Sequence, residues 1–210
     1  MDLMGRNPLY AFFLKAALWL PLCLGLWYWK AEWFSSPAAM VSGWTLRGLF
    51  PGWVKAVEWS QRTVTLVTTL QVPMAPGVSE GKYAAMVAEA NPLLYSFGLA
   101  LFAALLLASA GTKRWRKLML GALVLIPFQA WGICFDLLKQ VAITAGPVVA
   151  AQTGFSPWQR EGIALGYQLG RLILPTVAPI TLWLALIRQL IPMLMLDRAL
   201  QGKGEFTAPP

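Results

Sequence analysis

Few side chains in this chain could carry out chemistry. It has no histidine and two cysteines, Cys23 and Cys134. Without imidazole there is no His-based acid–base catalysis, no Cys–His nucleophile pair and no source for most metal sites. A thiol needs a neighbouring base or cation to become a nucleophile, and neither accompanies these two. Both lie in apolar stretches and are expected to be small core residues. There is no Gly-rich phosphate loop, no Ser-x-x-Lys pair and no metal-ligand spacing. No catalytic, cofactor-binding or metal residue is therefore assigned, and no cofactor is expected.

What remains is a set of polar residues in apolar surroundings. Asp136 follows Lys117 by ~28 Å of helix, and Arg171 precedes Arg188 by ~26 Å, at 1.5 Å per residue. If the two helices run in opposite directions, Asp136 and Arg171 sit at similar depth and could pair or share a polar site. The bland alternative is that lipid headgroups and water solvate each separately. Gln129, Ile133, Asp136 and Gln140 share one helical face that is polar at three of four positions. Such a stripe should face protein rather than lipid. Gln168 is one turn from Arg171 and could join it. Gly162, Gly166 and Gly170 recur every four residues and leave a groove for close helix approach, within the chain or with another protein.

The elements that position these residues are membrane helices. The chain has 210 residues, 58% hydrophobic and 12% charged, with mean hydropathy +0.58. Soluble domains run near 25% charged, so a water-soluble fold is excluded, and disorder with it. A helix needs ~20 apolar residues to cross the hydrocarbon. Four stretches qualify, with Lys15 and Lys30 snorkelling outward at the ends of the first. The expected fold is an α-helical polytopic membrane protein with four transmembrane helices and a small extracytoplasmic α+β module. The divisions are a cytoplasmic N-terminus and first span (1–30), an outer module (31–91), a second span (92–110) and a basic loop (111–117). A third span (118–138), an outer connection (139–161), a fourth span (162–191) and a tail (192–210) complete the chain. The connection AGTKRWRK (110–117) carries four basic residues and no acid. By the bias of Lys and Arg toward the cytoplasm, it and both termini face inward. This placement accounts for much of the net charge of +8 without nucleic acid. A cleaved signal peptide is the alternative for the first segment, but no A-x-A site follows it.

Within 31–91, Met40, Val41 and Trp44 share one helical face, and Trp53, Val54 and Val57 a second. Between them Pro51-Gly52 breaks the chain. Two short amphipathic helices lying on the outer leaflet are expected. From Thr63 to Val72 the apolar residues alternate, as in a strand with one buried face. Tyr83–Ala90 returns as its hairpin partner across a Pro/Gly turn. A two-stranded hairpin is marginal alone, so a third strand, the helices, the membrane or a partner must cover it. Asn91 and Ser156, each followed by proline, read as N-caps, and Gln159 completes a capping box with Ser156. The fourth helix should thus begin outside, near Pro157, and Pro175 and Pro179 should kink it.

Four stretches resemble the family of exosortase H-associated membrane proteins. They are LWLPLCLGLWYWKAEW (18–33), EANPLLYSFGLALFAALLLAS (89–109), IPFQAWGICFDLLKQ (126–140) and SPWQREGIALGYQLGRLILP (156–175). The resemblance implies a multi-pass protein of the bacterial inner membrane, acting beside an exosortase. Exosortases are membrane peptidase-transpeptidases that process C-terminal sorting tails at the outer face. Those enzymes use Cys, His and Arg, so a chain without His resembles the accessory protein and not the enzyme. The expected function is non-catalytic, binding the sorting enzyme or its substrate outside the membrane. The residues chosen for partner binding are Asn91, Gln129, Trp131, Asp136, Gln159, Arg160, Glu161, Gln168 and Arg171. Gly162, Gly166 and Gly170 are chosen for helix packing. Expected partners are membrane lipids and an exosortase or another integral membrane protein, with a homo-oligomer left open. A small transporter or lipid-handling oligomer is the rival, and an enzyme centred on Asp136, Arg171 and Glu161 a third reading.

Overall fold

The computed structural model describes residues 8–60, 62–73, 83–109 and 113–188. They form α1 (Pro8–Trp29), α2 (Ala31–Leu49), β1 (Val54–Ser60), β2 (Thr63–Pro73) and β3 (Tyr83–Ala90). Then follow α3 (Leu93–Ala108), α4 (Arg114–Lys139), α5 (Pro147–Gln152), α6 (Pro157–Gln168) and α7 (Leu174–Arg188). Single π turns extend α4 through Gln140–Thr144 and join α6 to α7 through Leu169–Ile173. Residues 74–82, expected as the hairpin turn, and those beyond 188 lie outside the described residues, as do residues 110–112 of the basic connection.

Among the described residues, three helices are long and apolar enough to cross a membrane: Tyr10–Trp29, Arg114–Thr144 and Pro157–Ile187. The expected second span is an apolar helix of 16 residues, Leu93–Ala108, shorter than a full crossing. It is nonetheless the centre of the bundle, packed by α1, α4 and α7. Its small residues Gly98, Ala100, Ala104 and Ala108 are buried, which lets the neighbours close in. α1 is apolar on every side and none of its central window is buried inside the chain. Such a helix is stable only with lipid or another helix around it. The Arg114–Thr144 helix has 31 residues, or ~46 Å against a hydrocarbon core of ~30 Å. It is therefore longer than the hydrocarbon core is thick, and its far end forms the floor of the β-sheet module.

The region 31–60 corrects the expectation of two short amphipathic helices. α2 is one helix of 19 residues that runs through Pro37, and 54–60 is a strand, not a helix. Val54 and Val57 suit a helical face on spacing alone. The chain instead needs a third strand beside the hairpin, and β1 supplies it. The sheet is antiparallel in the order β1-β2-β3. Val64, Leu66, Thr68 and Leu70 of β2 point inward. They meet Ala38, Ala39 and Leu46 of α2 and Ile133, Leu137 and Val141 of the long helix, in one core. α2 buries Ala31, Ser35, Ala38, Ala39, Ser42, Gly43 and Leu46, mostly small side chains, and turns Trp33, Met40 and Trp44 outward. β2 bulges between Val67 and Gln71. Thr68 repairs the gap: its hydroxyl donates to Met86 O at 2.8 Å and accepts from Leu70 N at 3.3 Å.

The helix ends follow local chemistry. Ser156 and Gln159 form a complete capping box and Pro157 is at the first turn of α6. α3 starts one residue later than expected, with Pro92 at the cap position. The Asn91 carboxamide still accepts from Leu93 N at 3.0 Å. The π turn at Leu169–Ile173 lies just ahead of Pro175. Proline lacks the N–H that an α-helical ladder needs there, so the ladder loosens and the helix continues.

Candidate functional site

The polar groups of the chain converge where the long helix leaves the bundle and meets the sheet. The Tyr95 hydroxyl donates to Asp136 Oδ2 at 2.8 Å. Tyr95 is 1% exposed, and its ring lies over Gly132, where any Cβ would overlap it. A lone tyrosine near the start of an aliphatic helix is thus seated by a glycine on the facing helix. The Arg171 guanidinium is 5.9 Å from the centre of the same ring and acts electrostatically on its hydroxyl. Asp136 and Arg171 form no ion pair with each other among the described residues. Of the two expected arrangements, a direct pair or a shared polar site, it is the shared site that forms, with Tyr95 in contact with Asp136 and beside Arg171.

One turn further out, Gln140 donates weakly to Asp136 Oδ1 at 3.4 Å. Its carboxamide also behaves as a piece of strand against β3. Oε1 accepts from Glu89 N at 3.2 Å and Nε2 donates to Glu89 O at 2.7 Å. Gln152 of α5 does the same to β2: Oε1 accepts from Gln71 N and Nε2 donates to Gln71 O, both at 2.8 Å. On the other edge, Arg47 of α2 donates to Val57 O of β1 at 3.1 Å. Three side chains thus satisfy backbone groups that the ladder leaves unpaired. At the near end, Arg62 joins the start of β2 to the C-terminal end of α1, donating to the Tyr28 hydroxyl at 3.1 Å.

The residues chosen from sequence distribute unevenly around this junction. Asp136 and Arg171 are in it, and Asn91 caps the helix that carries Tyr95. Trp131 is partly exposed, stacks on Phe135 at 4.6 Å and donates to Gly166 O at 3.2 Å. Gln129 is 5% exposed and its Oε1 has no hydrogen-bond partner. Gln159 belongs to the capping box, Arg160 is half-buried, and Glu161 and Gln168 are exposed. Gln168 therefore does not join the buried polar stripe. Gly166 faces the Phe135 ring, and Gly170 comes within 2.9 Å of the Gly132 backbone, measured from an added Cβ. Both serve packing inside the chain, while Gly162 has open space above it. Tyr95, Gln152 and Arg47 were not found from sequence. For Tyr95 the signal existed, a single phenol in an aliphatic helix; an edge-capping glutamine has no sequence signature.

Gly162 opens into a groove of about 640 Å³ between α2, α4 and α6. Leu46, Leu49, Ala130, Trp131, Cys134 and Ile163 contribute to walls that are almost wholly apolar. Gln129 and Gln168 do not line it. No group of three metal-ligating side chains occurs among the described residues. Cys134 is buried with its Sγ 3.7 Å from Ser42 O, and Cys23 is likewise a free thiol. The site can hold elements together and offer surfaces; nothing in it aligns a nucleophile with a base.

The sequence model of one family, the exosortase H-associated membrane proteins, matches residues 6–190. No curated protein and no solved structure matches the chain. The match spans most of the sequence, and the chain belongs to this family, as its four resembling stretches implied.

Proposed function

We propose that the protein is a non-catalytic accessory component of an exosortase-type sorting system in a bacterial inner membrane. It binds the sorting enzyme at the outer face, through the sheet module and the outer ends of the long helices. The observation that carries this reading is the family match over residues 6–190. A second support is the length of the helix Arg114–Thr144, 31 residues or ~46 Å against ~30 Å of hydrocarbon, whose far end packs against the sheet. An outer platform of this kind suits a binding partner.

The proposed topology has four crossings, with α3 as the second and both termini in the cytoplasm. In it Lys113, Arg114, Arg116 and Lys117 lie inside, and the β1–β2 turn lies outside. α2, with Trp33, Met40 and Trp44 outward, rests in the outer interface. Asn91, Gln159, Arg160, Glu161 and Gln168 remain the residues offered to a partner at that level. The transporter reading called for a cavity lined by Gln129 and Gln168, and the groove between α2, α4 and α6 is lined by neither.

Two measurements test the proposal. Ser60→Cys is an exposed position at the β1–β2 turn, and a membrane-impermeant maleimide added to intact cells should label it. Labelling only after the cells are opened would overturn the orientation. The full chain should also co-purify from detergent with its exosortase, and the chain purified alone should turn over no sorting substrate. Turnover by the isolated chain would overturn the non-catalytic reading.

A further inference from the structure

The three strands present edges that the chain treats unequally. In an antiparallel ladder, alternate residues direct both backbone groups to the same neighbour. Met86 O receives the Thr68 hydroxyl of β2, while Glu89 N and O are turned away from β2, to Gln140. The register is unbroken from Val64↔Ala90 to Val67↔Val87 and resumes at Gln71↔Ala85. Glu89, Val87, Ala85 and Tyr83 therefore face outward along the free edge of β3. Glu89 is plugged by a carboxamide. Tyr83, Ala85 and Val87 have no backbone partner on that edge among the described residues.

Free edges invite strand pairing, and proteins blunt them with charge, proline, short strands or a covering group. Elsewhere this sheet is blunted. Arg47 covers Val57, and β1 carries Lys55 and Glu58. Gln152 covers Gln71 where β2 runs past β1. The run Tyr83-Ala84-Ala85-Met86-Val87-Ala88 has neither charge nor proline. Its outward side chains are Tyr83 at 60% exposure, Ala85, and Val87 at 46%. The edge of β3 is thus apolar and unprotected beside three protected positions.

We infer that this edge of β3 receives an extended, uncharged segment of the partner exosortase as a fourth strand. The inference rests on the accessory reading above and specifies its chemistry. Main-chain hydrogen bonds to Tyr83, Ala85 and Val87 give affinity, and alternate apolar side chains of the incoming strand cover Tyr83 and Val87. A foreign segment is favoured over a second copy because the family is defined by its association with an exosortase.

The test is amide hydrogen exchange of the full chain in detergent, with and without its exosortase, together with affinity measurements on variants. Val87→Pro removes an N–H that points away from β2, a position where an edge strand tolerates proline. Ala85→Lys adds charge to an exposed side chain and leaves the backbone intact. On complex formation, exchange at 83–88 should slow, and each variant should weaken binding by about tenfold or more while keeping the far-UV spectrum. A complex that forms with unchanged exchange at 83–88, and that both variants bind within twofold of the original, overturns the edge assignment and leaves the accessory reading standing. Absence of any complex sinks both. Protection at 83–88 that grows with the concentration of the chain alone would identify a second copy as the occupant and also overturn it.

Discussion

The seam between α3 and α7 and the groove between α2 and α6 are both built around glycine, used in opposite ways. At Gly98 an added Cβ would overlap the Pro175 carbonyl oxygen and lie 2.8 Å from Pro179 Cγ. At Gly162 it would meet nothing within 4 Å. The first glycine lets two helices of this chain touch backbone to ring. The second leaves space that nothing in the described chain fills. Identical residues on two helices thus mark a closed interior and an open surface, and only the contacts tell them apart.

The sharpest way to break this contrast is at the closed side. Gly98→Leu has no soft neighbour to displace, because the obstacle is backbone. Overpacking of this kind costs about 1–3 kcal/mol or more, so thermal unfolding in detergent should fall by roughly 4–10 °C, scaled by the response of domains of this size. An unchanged melting temperature would mean that α3 and α7 do not meet at this seam.

Next in size is the joint between helix and sheet. Gln140→Leu removes both bonds to Glu89 and leaves its N–H and C=O to water. The site is partly exposed, so the loss is about 1 kcal/mol. It should be local: faster amide exchange at Glu89 and easier proteolysis of β3, with the helices unaffected. Uniform loosening of the whole chain would show that the Gln140 seam, and not the shared hydrophobic core alone, couples the sheet to the bundle.

How much of this was legible in the sequence follows from the range of the forces involved. Hydropathy is a local sum, and it placed the long helices and the β2–β3 hairpin. The capping box at Ser156 and Gln159 was legible because its partners are three residues apart. β1 was misread as a helix because Val54 and Val57 suit either period over so short a run, and pairing with β2 decides. Of the two arrangements open to Asp136 and Arg171, a direct pair or a shared polar site, spacing along two helices could not choose, because a third helix brings Tyr95 to both. Gln152, 81 residues from Gln71, could be found only by folding the chain.

On the open side the expected change is small and favourable. Gly162→Ala puts a methyl group into vacant groove and replaces the poorest ordinary helix former with the best. The gain is up to about 1 kcal/mol, read as a slightly raised melting temperature of the purified chain. If the same variant lowers co-purification with the exosortase, the groove is occupied in the complex. If it destabilises the isolated chain, the space above Gly162 is already filled and the contrast with Gly98 fails.

The smallest effect belongs to Gln129, the one buried residue that fits neither side of the comparison. Its Oε1 is buried without a partner, although Asp136 and Gln140 of the same face are hydrogen-bonded. Replacing a polar group that is already unsatisfied by an apolar one of similar shape removes a desolvation cost and loses no hydrogen bond at that oxygen. Gln129→Met should therefore leave unfolding unchanged within about 0.5 kcal/mol, or raise stability slightly, because volume is conserved. If sorting in cells survives the substitution, the closed interior serves packing alone. Loss of sorting at unchanged stability would instead place a working polar group inside the bundle, and the division between a packed interior and a functional outer surface would no longer hold.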